Sequence, residues 1–307
     1  MFVQDSGTIC LALSGSAAAL TDSFAPVQVS GALFALIGLY LLLMLTGVGI
    51  DLVVITRALA RPLAWDRCVA WVKDRPWNWR VAGWVALILM CIQLVVVGVY
   101  RTLSALGWLR ADEPESFYAL IQGLVFHVTS LVILAFILRS RTWTWAQAFG
   151  LQAQGLVRQL GAGMAFYAGI LPLFFFAAVL SRLVMLIIGY PVTIQDVVLI
   201  FMEPQSLWTL LALLGLAMIV APVAEEILFR GILLPLVMKR LGAGPAVILS
   251  SALFALIHLH VPSFFPLFVL ATGLALAYIY TGSLWVPIMM HALFNGMNLG
   301  LLLLATN

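Results

Sequence analysis

Between Leu207 and Val237 the chain is almost wholly apolar, yet Glu225, Glu226 and Arg230 stand near the middle of that stretch. A charge near a bilayer centre costs roughly 2.5 to 3.5 kcal/mol on insertion scales, so three uncompensated charges would cost about 8 to 10 kcal/mol. They must pair, face a wet cavity, or both. On a helix Glu226 and Arg230 lie one turn apart in the favourable order for an ion pair, while Glu225 points about 100° away and is left free for chemistry. Whatever this stretch folds into, neighbouring elements have to bring polar partners to it.

Composition says what those neighbours are. Of 307 residues, 64% are hydrophobic and 9% charged, whereas a soluble domain carries about a quarter charged residues. The apolar runs are continuous rather than alternating, which favours membrane-spanning helices over a barrel. The spacing predicts spans at Val29 to Ile50, Val81 to Tyr100, Ser116 to Leu138, Leu160 to Ile188, Leu207 to Val237, Ala246 to His260, Ser263 to Tyr280 and Leu284 to Leu304. The expected fold is an all-α polytopic membrane bundle of about eight transmembrane helices. It divides into an exposed tail (1–28), a four-helix region (29–200) and a C-terminal catalytic core (201–307). The fifth stretch is too long for one straight span and holds Pro222 and Pro235, so a kink or tilt is expected there.

Charge placement orients the bundle. Arg57, Arg61, Arg67, Lys73, Arg75 and Arg80 crowd the first loop; with Arg139, Arg141, Arg158, Lys239 and Arg240 they make eleven basic residues on one side, against Arg101, Arg110 and Arg182 on the other. The positive-inside rule then places the N-terminus outside, in a multi-pass protein of the cell (inner) membrane. Tryptophans near the cytoplasmic ends, Trp77 and Trp143 among them, are expected as interfacial anchors. Residues 51–80 are amphipathic enough for part of them to lie along the membrane surface. The tail lacks the basic start of a signal peptide. A net charge of +3 without a Lys/Arg block gives no sign of nucleic-acid binding. Cys10, Cys68 and Cys91 have neither metal-ligand nor redox spacing.

Two of the four histidines sit in apolar spans with a partner four residues away, Phe254 with His258 and His291 with Asn295. With Glu225 these give a carboxylate, two imidazoles and an amide, a set able to activate water and hold an oxyanion. The depths agree. Glu225 lies about 21 Å from the cytoplasmic end at Lys239, His258 a similar distance from Gly244, and His291 about 10 Å from Leu284, so a shared site would open towards the cytoplasm.

In this order and on separate spans, Glu225-Glu226-x-x-x-Arg230, Phe254-x-x-x-His258 and His291-x-x-x-Asn295 resemble the CAAX-protease and bacteriocin-processing (Abi) family of intramembrane peptidases. The resemblance runs over roughly residues 207–300. Its flanks agree, with Gly231 after Arg230 and Gly282-Ser283-Leu284-Trp285 leading to Pro287. It implies an endopeptidase in which Glu225 and His258 activate the attacking water, His291 and Asn295 stabilise the oxyanion, and Glu226, Arg230 and Phe254 support them. It implies a glutamic-type mechanism without a metal, acting on a membrane-anchored or hydrophobic peptide or protein.

Other readings follow from the same residues. Glu225, His258 and His291 also form a plausible zinc set. A membrane immunity or scaffold protein could use the same fold without catalysis, and a transporter is disfavoured because no inverted repeat is visible. His127 has no acidic or His neighbour at helical spacing and reads as one side of an interhelical hydrogen bond. His260 lies about 200° round the helix from His258. Arg182 reads as a snorkelling side chain.

Overall fold

The computed structural model describes residues 31–60, 65–108, 115–203 and 206–306, and these are helical with no strand among them. The tail of residues 1–28 lies outside them. Among the described residues, seven helices are long and apolar enough to cross a membrane. They are α1 (Gly31–Ala60), α3 (Trp79–Ala105), α4 (Glu115–Ser140), α6 (Leu156–Ile187), α8 (Leu207–Leu241), α10 (Val261–Thr281) and α11 (Trp285–Thr306). Between them lie the shorter α2 (Trp65–Lys73), α5 (Trp145–Phe149), α7 (Asp196–Ile200) and α9 (Ala243–Leu256). The protein is an all-α polytopic membrane bundle.

The sixth expected span is shorter than its apolar run. Helix α9 has 14 residues, about 21 Å of rise against a hydrocarbon core of about 30 Å. It ends at Leu256 rather than His260 because Leu259 turns to a positive φ of 50° and the extended His260 starts a new helix with Pro262 in its first turn. His258 therefore stands in a turn just past the helix end.

Close approach of small residues sets the packing, as in membrane bundles generally. Helix α6 packs against α1, α10 and α11, and α9 against α10 and the end of α8. A Cβ at Gly163 would come 2.9 Å from the Val286 carbonyl oxygen, so α6 and α11 cross almost backbone to backbone there.

Segments expected on the cytoplasmic side share one end of the bundle. Arg75 donates to the carbonyls of Ala146 (3.2 Å), Gln147 (3.1 Å) and Gly282 (2.6 Å) and to the Tyr278 hydroxyl (3.0 Å). Lys239 donates to the Trp77 carbonyl at 2.9 Å. At the other end Ser181 donates to the Pro262 carbonyl (2.7 Å) and Thr193 pairs with His260 (3.0 Å).

The reading of Trp77 as an interfacial anchor is corrected. It is fully buried between Trp143 and Phe149, and its indole N–H donates to the Ala148 carbonyl at 3.2 Å. The amphipathic segment before it is docked as well: Val72 on α2 is completely buried in the same core. Trp71, Trp79 and Trp84 stay exposed, and so does Arg182.

Candidate active site

Helix α8 carries both acids between two stretches of π-helix, Leu216–Val220 and Ile227–Leu233. At the first, the Ala221 N–H reaches back five residues to the Leu216 carbonyl. The next donor in that register belongs to residue 222, which is proline and has none. The carbonyl it would have served is that of Ala217, and Asn295 of α11 donates to it through Nδ2 at 2.8 Å. The second π stretch is arranged alike, with Leu234 N–H on the Phe229 carbonyl and Pro235 following. The prolines thus sit where widened turns absorb their missing donors, and α8 continues unbroken from Leu207 to Leu241.

The charges pair inside this helix. Arg230 Nη1 donates to Glu226 Oε1 at 2.7 Å, with 1% and 0% of the two side chains exposed. Its Nη2 donates to the Ala271 carbonyl at 3.1 Å, and its guanidinium lies 4.5 Å from the centre of the Phe254 ring. This contact of α8 with α9 and α10 compensates a cation that would otherwise be too costly to bury.

His291 Nδ1 lies 2.9 Å from the same Glu226 Oε1. A carboxylate only accepts, so Nδ1 carries the hydrogen and donates it. The other ring nitrogen, Nε2, faces Glu225 Oε2 at 3.9 Å, too far for a direct hydrogen bond. Glu225 keeps 20% of its side chain exposed. Two adjacent acids therefore have different environments: Glu226 is sealed against Arg230 and His291, and Glu225 is open.

Phe254 is the hub of the remaining contacts. Its buried ring lies 4.9 Å from that of His258, 5.7 Å from that of His291 and 5.1 Å from that of Phe229, centre to centre. His258 donates from Nδ1 to the Phe254 carbonyl at 2.7 Å. That bond caps an orphan carbonyl at the end of α9 and leaves Nε2 with its lone pair.

The structure thus gathers Glu225, Glu226, Arg230, Phe254 and His291 into one cluster, with His258 attached through Phe254 and Asn295 one turn beyond His291. His260 lies apart, held by Thr193 and by Ser263 (2.8 Å) at the far end of the bundle. His127 departs from its expected role, because its buried Nδ1 makes no hydrogen bond.

Among the described residues no group of three His, Cys, Asp or Glu side chains is placed to hold a metal ion. In the zinc set of Glu225, His258 and His291, each histidine already commits its Nδ1, to Phe254 and to Glu226.

Fold and cluster together define a polytopic membrane protein with a polar site enclosed among its C-terminal helices. Residues 206–297, just under a third of the chain, match the family model described as Type II CAAX prenyl endopeptidase Rce1-like. The match agrees with the family that the motifs resemble, and it contains every residue of the cluster from Glu225 to Asn295. No curated protein matches the chain, and no solved structure does.

Proposed function

We propose that the protein is an intramembrane endopeptidase that hydrolyses a peptide bond of a membrane-anchored or hydrophobic protein or peptide. The observation that carries this reading is the open carboxylate of Glu225 beside the sealed Glu226–Arg230–His291 network. A site built only to hold helices together would leave no carboxylate exposed.

Glu225 takes a proton from water as the water oxygen bonds to the scissile carbonyl carbon. His258, its Nδ1 fixed on the Phe254 carbonyl, presents Nε2 to carry that proton to the leaving amine as the C–N bond breaks. The oxyanion is held by the Nε2 side of His291, when that nitrogen bears a proton, and by the second amide hydrogen of Asn295. The first amide hydrogen stays on Ala217. Glu226 orients His291, and Arg230 holds Glu226 in place. No step requires a metal.

The eleven-to-three distribution of basic residues supports an inner-membrane protein with its N-terminus outside and its site reached from the cytoplasmic side. A catalytic core at residues 201–307, served by the four spans before it, fits the placement of the cluster. The matching family is described as a CAAX prenyl endopeptidase, so a lipid-modified C-terminal peptide is the first substrate to offer.

The test uses purified protein in proteoliposomes and a peptide ending in a prenylated Cys followed by two aliphatic residues and one further residue with a free carboxylate. Release of the terminal tripeptide by wild type, and none by Glu225→Ala, is the expected result. Equal release by Glu225→Ala sinks the proposed base.

A further inference from the structure

We propose that a polar cavity at the end of the bundle where Arg75 and Lys239 are docked binds the phosphate headgroup of an anionic phospholipid. The inference does not depend on the endopeptidase reading. The cavity has a volume of about 670 Å³, within the usual range for ligand sites. Its walls come from three places far apart in the chain: the end of α2 with the turn after it, the start of α6, and the turn between α10 and α11. Gln159 braces two of them together, accepting from the Ser283 hydroxyl and donating to the Gln154 carbonyl at 2.9 Å. None of Glu225, Glu226, His258 and His291 lines it.

Its charge selects an anion. Arg75 and Arg158 line the cavity against a single acid, Asp74, and among the described residues neither arginine forms an ion pair. Arg75 is held in place by the three carbonyls and the hydroxyl already described, so its charge is fixed at the wall. Arg158 is exposed and leaves its guanidinium to reach a phosphate. Depth selects a lipid. Three membrane-crossing helices begin or end at the cavity, α6 at Leu156, α10 at Thr281 and α11 at Trp285, which puts it at the boundary between hydrocarbon and water where headgroups lie. Trp71 on its wall is 64% exposed, as an interfacial indole is, and Val157 beside Arg158 is 85% exposed. A phosphate held at Arg158 therefore has apolar surface next to it for acyl chains, the arrangement by which basic pockets between spans recognise anionic headgroups.

The test titrates full-length protein, stripped of lipid in mild detergent, with phosphatidylglycerol or phosphatidylcholine and counts one-lipid adducts by native mass spectrometry. Phosphatidylglycerol should bind about fivefold or more tightly, the worth of one cation near an anionic lipid. Arg158→Gln should lose about that factor and Asp74→Asn should gain a similar one. Shifts of opposite sign from two exposed positions cannot come from a folding defect. Arg240→Gln, exposed at the same end but outside the cavity, should bind as wild type. Equal affinity for the two lipids overturns the proposal, as does wild-type affinity in Arg158→Gln or in Asp74→Asn. An equal loss in Arg240→Gln also overturns it, because diffuse surface charge would then account for the binding. Glycerol 3-phosphate, a headgroup phosphate without chains, should compete weakly. If it binds as tightly as the lipid, the ligand is a soluble phosphate ester and the lipid assignment falls.

Discussion

Asn295 of α11 donates a 2.8 Å hydrogen bond to the carbonyl of Ala217 in α8, the carbonyl that the π-helical register would have assigned to the missing N–H of Pro222. Interhelical hydrogen bonds of this kind average about 0.6 kcal/mol in membranes and reach about 1.7 kcal/mol. Asn295→Ala should therefore lower stability by up to about that upper value. Pro222→Ala in the same chain should recover part of it by restoring a backbone donor. Thermal unfolding of the four members of this cycle in detergent checks the coupling, and strict additivity contradicts it.

The Glu226–Arg230 pair is buried on both sides, and breaking such a pair from one side costs about 3 to 5 kcal/mol. Arg230→Met alone should be severely destabilised. Arg230→Met with Glu226→Gln should unfold much closer to wild type, because no bare charge is left behind. The double variant should nonetheless be inactive, since His291 loses the carboxylate that orients it.

Gly231 meets Phe149 and Leu284 so closely that an added Cβ would fall 2.6 Å from the Phe149 ring. Because that ring is fully buried and stacked on Trp77, it has little room to give. Gly231→Ala should cost about 1 to 3 kcal/mol through overpacking, seen as a lower melting temperature of the purified protein.

Much of this arrangement is local and was open to sequence reasoning. The apolar runs dictate spans, and the four-residue spacings of Glu226 with Arg230 and of Phe254 with His258 appear as contacts. What the sequence hides depends on partners far along the chain. Pro222 signals a disturbed helix, but only the arrival of Asn295 shows that the disturbance is a widened turn rather than a break. Trp77 looks like any interfacial tryptophan until Ala148 and Phe149 close over it. The end of α9 before His258 hangs on the backbone of Leu259.

Metal removal separates the two hydrolytic chemistries. Dialysis of the active protein against a zinc chelator should leave peptide cleavage unchanged, because the base is Glu225 itself. Loss of cleavage that zinc restores would assign Glu225, His258 and His291 to a metal instead.

The most direct test of the central claim is a quantitative comparison of membrane-peptide termini in cells carrying wild type, Glu225→Ala or His258→Ala at equal membrane levels. A set of cleaved termini present with wild type and reduced by about 10² or more in both variants is the predicted result. Identical termini in all three strains would show that the Glu225 cluster performs no hydrolysis and serves to bind or to brace.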